Sequence, residues 1–281
     1  SKSLNVQPEP TVNVIYFVGY PTPNIGDVLI VSFELLLKEV DVVDIVTPTP
    51  SHFHYASIAL ANKKHIFIEK PITNNLKEAN EIISLAKKNN VKGQVGHVER
   101  FNPAYLHVKD KINNPMFIET HRLAQFNPRG TDVPVILDLM IHDIDIILDI
   151  VKSDIKNISS SGISIISKSP DIANARIEFI NGCVANLTAS RISLKNMRKF
   201  RIFQKEKYIS IDFFKKDCEV VIMKDFSGKE SANGLILENA EGIKKQVTID
   251  KSVISNSNAI LEEFESLADS IEKDITPEVS L

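Results

Sequence analysis

The sequence predicts a two-domain protein of the α/β class. A parallel-sheet domain occupies residues 1–102, and an α+β domain with a largely antiparallel open sheet occupies residues 103–281. Between Asp41 and Pro71 an apolar run, a helix-forming run and a second apolar run follow one another at the spacing of a βαβ unit. From about Pro115 the alternation stops and strand-like runs succeed one another, the pattern of an α+β unit. Asn181-Gly182, set between two of those runs, is a strong hairpin signal.

In the first domain, Val12–Val18 reads as a strand and Phe33–Lys38 as the helix leading into the next one. Val42–Val46 is a short β-branched run of the kind buried on both faces of a sheet. Thr47-Pro48-Thr49-Pro50-Ser51 stops it, because proline lacks the amide donor that a ladder needs. His54–Lys64 supplies good helix formers, and His65–Ile68 is a second buried strand ending at Glu69-Lys70-Pro71. A right-handed crossover makes the two strands parallel, so TPTPSH and EKP leave at one carboxyl edge, where open α/β sheets bind ligands. The arrangement is Rossmann-like. An amphipathic helix follows, capped by Asn74 or Asn75, carrying Leu76, Ala79, Ile82, Ile83 and Ala86 at helical spacing, and ended by Asn89-Asn90. Val91–Val95 is a further strand, running into the polar loop Gly96-His97-Val98-Glu99-Arg100-Phe101-Asn102-Pro103. The first unit of this domain is atypical. A dinucleotide fold places G-x-G-x-x-G there, so that amides at a helix start approach a pyrophosphate. Here Gly19 and Gly26 stand seven apart with Pro21 and Pro23 between them.

In the second domain, strands are expected at Met116–Leu123, Ile155–Ser167, Ala173–Phe179, Cys183–Arg191, Lys199–Gln204, Tyr208–Phe214 and Glu219–Met223, with a closing helix at Ala259–Lys273. One helix interrupts them. Across Leu137–Val151, Leu137, Ile141, Ile144, Leu148 and Val151 form an apolar stripe, and Asp138, His142, Asp145 and Asp149 a polar one. Asp138 and His142 fall one turn apart, where a carboxylate orients an imidazole for general acid/base work. Asp145 and Asp149 read as the solvated face of a surface helix.

Composition narrows the partners. A formal net charge of −3 gives no reason to expect nucleic acid or an anionic membrane. No apolar run approaches the roughly 20 residues of a membrane span, and the polar start SKSLNVQPEP does not read as a signal peptide, so a cytoplasmic location is expected. His52 and His54 form an H-x-H pair with no obvious third ligand, and no metal is expected. Lys70, at the mouth of a strand, suits a ligand hydroxyl, or else pairs with Glu69 as an ordinary loop lysine. Arg100, Asn102, Arg122 and Arg129 suit a phosphate or carboxylate, or else line the surface. Of these, Arg100, Asn102 and Arg129 are taken as substrate-binding candidates.

Together these residues resemble a known family. TPTPSHFHYASIALANKKHIFIEKP is similar to the central signature of the Gfo/Idh/MocA oxidoreductases, T-P-T-x-x-H followed by E-K-P. DLMIHDIDII resembles their later D-x-x-x-H motif, and GHVERFNPA and LAQFNPRG resemble the branch acting on nucleotide sugars such as UDP-N-acetylglucosamine. The resemblance spans roughly residues 33–225, and three motifs in order are more specific than one. It implies NAD or NADP as cofactor, a sugar or nucleotide-sugar substrate, hydride transfer at a sugar hydroxyl, and a homo-oligomer (dimer or tetramer) built on the open sheet. It further implies that Lys70 binds the substrate hydroxyl and nicotinamide ribose, and that His142 is the general base with Asp138 alongside. Thr47, Pro48, Thr49, His52 and Glu69 would join Lys70 at the nicotinamide end. The chemistry agrees, because hydride leaves a secondary alcohol as its hydroxyl proton is taken up. If Val14–Asn24 corresponds to the family's second strand and loop, Thr22 stands where an acidic residue would read the ribose. The unmatched glycine fingerprint favours a rival, a non-catalytic ligand sensor or scaffold on the same fold. A metal-dependent hydrolase using His52, His54, Asp138 and His142 is a third reading.

Overall fold

In the computed structural model, which describes residues 14–17, 33–128, 133–226, 228, 234–251, 254–255 and 257–281, the chain forms two compact units. The first comprises residues 1–97 with 261–281, and the second residues 98–260.

The β-branched run at residues 42–45 is the second strand of a four-stranded parallel sheet, ordered β1-β2-β3-β4. Its strands are β1 (Val14–Phe17), β2 (Val42–Ile45), β3 (His65–Glu69) and β4 (Gly93–Gly96). Val43, Ile45, Ile66 and Ile68 are fully buried, as strands covered on both faces require. Helix α1 (Phe33–Glu39) leads into β2, and α2 (His52–Ala61) crosses from β2 to β3. The predicted start of α2 at His54 is two residues late, because a 3-10 turn at Thr49–Ser51 feeds directly into His52. Helix α3 (Leu76–Asn89) begins where Asn75 Oδ1 accepts the Glu78 amide at 3.0 Å, and it ends on Asn90 in the left-handed conformation, φ +53°.

The last helix, α6 (Ala259–Glu272), corrects the expected domain assignment. Residues 103–281 do not form one domain, because Leu267, with Phe264 and Ile271, packs on Val42 and Phe67 of the parallel sheet. The chain then runs antiparallel along β4, with the Val95 amide donating to the Val279 carbonyl at 3.0 Å and the Leu281 amide to that of Gly93 at 3.2 Å.

The second unit is a nine-stranded sheet ordered β12-β13-β11-β10-β9-β5-β8-β7-β6. Its strands are β5 (Phe117–Leu123), β6 (Ile155–Ile163), β7 (Ile172–Phe179), β8 (Val184–Ser190), β9 (Met197–Gln204), β10 (Lys207–Asp212), β11 (Asp217–Asp225), β12 (Leu235–Glu238) and β13 (Lys244–Asp250). All pairings are antiparallel except β5 with β8. Ile118, Leu187, Phe200, Ile202, Ile209 and Ile211 form a core with Tyr105 and Val108 of α4 (Pro103–Lys109) and Ile146 and Ile147 of α5 (Ile141–Ile150). The Asn181-Gly182 hairpin forms as expected, with Gly182 at φ +87°. The strand expected to reach Ser167 stops at Ile163, because the amides of Ile165, Ile166 and Ser167 turn to Asp171 Oδ2 at 2.7–2.9 Å. Strands β12 and β13 and helix α4 have no counterpart among the expected elements.

Candidate functional site

At the carboxyl edge of the parallel sheet, the residues of TPTPSH and EKP take distinct places. Thr47 is buried, and its hydroxyl has no hydrogen-bond partner among the described residues. Pro48 is exposed and Thr49 is buried at the start of the 3-10 turn. Glu69 and Lys70 close β3 half-buried, with the Lys70 amide donating to Glu69 Oε2 at 3.2 Å. Burial raises the Glu69 carboxyl above the usual carboxylate range, against the Lys70 amide and the Lys70 and His52 charges, which lower it. A Cβ at Gly96 would lie 3.0 Å from the Glu69 carboxyl carbon, so glycine there lets the Glu69 carboxylate lie close against β4. Within β2, Asp44 is 1% exposed, and one of its oxygens has no partner among the described residues. Burial, followed by the Glu69 charge, pushes its carboxyl up to about 7.

His52 departs from its expected place at the nicotinamide end. It is 1% exposed, with Nδ1 2.9 Å from the Pro71 carbonyl and Nε2 2.7 Å from the Thr47 carbonyl. Both nitrogens face backbone carbonyls, so neither is directed at a ligand or a metal. Its neighbour His54 is exposed and stacks edge-on to Tyr55 at 5.1 Å. Among the described residues, no three His, Cys, Asp or Glu side chains come together as a metal site.

In the second unit, Asp138 and His142 are both half-buried, on one continuous helical stretch. The stretch is not the uniform α-helix that its periodicity predicts. Ile136–Met140 is a π-helical turn in which the Ile141 amide reaches the Ile136 carbonyl, and only then does α5 begin. Such wide turns recur at functional sites.

The other polar candidates are committed to one another. Arg100 Nε and Nη2 donate to Asp145 at 2.6 and 3.1 Å, and Nη1 lies 2.8 Å from Asp149. Asp149 also accepts from the Tyr105 hydroxyl and faces Lys109 at 3.3 Å. Burial raises the Asp149 carboxyl, but Tyr105 and Arg100 more than reverse this and hold it low. Asp145 and Asp149 are therefore ion-pair partners with side chains only 13% and 11% exposed, not a solvated face. Arg122 is buried, donating to Asp143 at 2.8 and 3.0 Å and to Glu99 at 2.9 Å. Asn102 is buried too, capping α4 through the Ala104 amide at 3.0 Å and donating to Glu99 and to the Phe213 carbonyl. Neither Arg100 nor Asn102 presents a free side chain to a substrate. Arg129 lies outside the described residues, as do Gly19, Gly26 and Thr22.

Comparison with known proteins gives this arrangement a lineage. Residues 23–97 match a family described as "Oxidoreductase family, NAD-binding Rossmann fold", the Gfo/Idh/MocA proteins. Over 190 residues the chain is 37% identical to the UDP-N-acetylglucosamine 3-dehydrogenase of Acidithiobacillus ferrooxidans, covering 67% of this chain and 61% of that protein. A solved structure of that dehydrogenase superposes with a TM-score of 0.78 at 31% identity, over 89% of this chain and 75% of the other. The chain belongs to the Gfo/Idh/MocA oxidoreductase family. Another relative, the scyllo-inositol 2-dehydrogenase (NAD(+)) of Bacillus subtilis, is 32% identical over 55% of this chain and 49% of its own length. The chain spans about six-tenths or less of the length of these two curated relatives. Among the described residues, no helix is long and apolar enough to cross a membrane.

The Gfo/Idh/MocA carboxyl edge fits a nicotinamide group on one observation of this structure. The buried Thr47 hydroxyl lacks a partner among the described residues, a costly state unless a ligand atom meets it, and it sits at the end of β2 where such sheets bind cofactors.

Proposed function

We propose that this protein is a nicotinamide-dependent oxidoreductase acting on a sugar hydroxyl, and that its substrate is a nucleotide sugar. The observation that carries the proposal is the 37% identity to a UDP-N-acetylglucosamine 3-dehydrogenase. When bound, the nicotinamide supplies or accepts the hydride. Thr47, Thr49, Glu69 and Lys70 would hold its nicotinamide end. Lys70 would also bind the reacting hydroxyl, its ammonium stabilising alkoxide character as the proton leaves. His142 would serve as general base, and Asp138 would favour its imidazolium. The half-buried state of His142 and Asp138, beside a π-helical turn, supports this assignment.

We also propose that copies associate through the uncovered face of the nine-stranded sheet. Phe117, Phe203 and Tyr208 cluster there with ring centroids 5.8 and 4.8 Å apart, beside the Arg201–Glu119 pair at 2.8 Å. Sedimentation velocity on Phe203→Glu checks this, the expected result being a shift to a smaller species. The net charge of −3 and a water-soluble substrate support a cytoplasmic location without nucleic-acid or membrane partners.

The test is a fluorescence titration with NADH and NADPH, followed by turnover assays on UDP-N-acetylglucosamine and related UDP-sugars. Micromolar binding of one cofactor and its oxidation or reduction with a UDP-sugar is expected, and the tighter cofactor assigns NAD or NADP. Binding of a sugar without turnover would instead favour a ligand sensor, the reading that the unmatched glycine fingerprint supports.

A further inference from the structure

We propose that His52 is a positioning residue, whose imidazole, held between the Thr47 and Pro71 carbonyls, fixes the two loops of the carboxyl edge against each other and so sets their affinity for a nicotinamide cofactor. The functional half of this proposal rests on the oxidoreductase reading; the structural half stands alone.

His52 lies in the first turn of α2, 1% exposed, 19 residues before Pro71 and five after Thr47. Its two nitrogens point to carbonyls that belong to different loops, at 2.9 and 2.7 Å. One loop contains Thr47, Pro48 and Thr49; the other contains Glu69 and Lys70. The pairing of the parallel sheet ends at Ile45–Ile68 and Glu69–Gly96, so beyond those residues the ladder no longer sets the spacing of the two loops. The imidazole spans that gap as a rigid ring, with no rotatable bond between its two contacts. Each ring nitrogen lies within hydrogen-bonding distance of one of the two carbonyls, so the ring is wedged between both loops at once. A glutamine, whose side-chain amide is flexible but still donates, keeps part of this contact, and alanine keeps none.

The role predicts correlated loosening. In His52→Gln and His52→Ala, hydrogen–deuterium exchange on the cofactor-free protein should accelerate in peptides covering residues 47–51 and 69–73 together, more in Ala than in Gln, while peptides of the nine-stranded sheet stay unchanged. NADH titrations of the same variants should show Kd raised roughly tenfold, the scale of one or two lost hydrogen bonds, at unchanged stoichiometry. Acceleration in one loop only, or across the whole first unit, would overturn the staple. A fall in binding stoichiometry with Kd unchanged would mean that His52 serves stability alone, and would overturn its effect on affinity. Should the wild-type protein bind no NADH while both loops still loosen together in the variants, the staple stands and the oxidoreductase reading fails.

Discussion

Two polar regions of this chain look alike in sequence and differ in bonding. At the α5 cluster, Arg100 and Arg122 each commit their guanidinium to two carboxylates, Asp145 with Asp149 and Asp143 with Glu99. At the carboxyl edge of the parallel sheet, a buried Thr47 hydroxyl and an Asp44 carboxyl oxygen have no partner among the described residues. Burying polar groups is costly unless their bonds are made, so saturated clusters are explained by the fold they hold together. Groups left unsatisfied call for a ligand or a function. Residue type alone does not make that distinction, since arginine is the residue most often assigned to phosphate recognition.

The largest expected effect is at the saturated cluster. Arg122→Met leaves the buried Asp143 without its charge partner and takes one of two arginines from Glu99, and should lower unfolding stability by about 3–5 kcal/mol, read from urea midpoints. A loss below about 1 kcal/mol would break the comparison at its firmest point. At the open edge, Lys70→Ala should leave stability nearly unchanged while turnover falls roughly 10²–10³-fold, the scale of removing one preorganised charge donor. A steady-state assay paired with a thermal melt separates the two. Asp44→Asn sharpens the contrast through pH. Its carboxyl, raised from an ordinary value near 4 to about 7, contributes stability that is full below about pH 4 and is lost as pH rises through 7. The Asn variant lacks that loss, so at pH 8 it should exceed the wild type on the order of 1–3 kcal/mol, with the gap closing toward about pH 4. Smallest is Arg100→Ala, expected to lower stability by about 1–2 kcal/mol with the KM for a UDP-sugar unchanged. A KM raised roughly tenfold would return Arg100 to substrate recognition.

The fold is most legible in the sequence where local patterns and burial agree. Val42–Ile45 and the run at residues 65–68 are apolar because both faces are covered, and Asn75 and Asn90 mark the ends of α3 through backbone geometry that needs no tertiary information. Strands β12 and β13 leave little signal because they are mostly exposed, so Lys244, Lys245 and Gln246 break the alternation that marks a half-buried strand. The π-helical turn before α5 leaves no periodic trace, being one wider hydrogen-bonded loop within an otherwise helical run. Asp145 and Asp149 read as a solvated face because the partner they share, Arg100, lies on another element, 45 residues before Asp145 and beyond any local pattern. His52 is legible as special but not in its role, since T-P-T-x-x-H does not say whether the imidazole meets a ligand or the backbone. Lys70 sits just past the end of β3, on the edge that the βαβ spacing predicts.

The return of α6 to the parallel sheet has a consequence for how the chain is made. Leu267 and Phe264 cover Val42 and Phe67, so a unit begun early in synthesis is closed late. At about 5–20 residues per second, roughly eight to thirty-five seconds separate the synthesis of β4 from that of α6. During that interval Val42 and Phe67 lack the cover that α6 gives them in the finished fold.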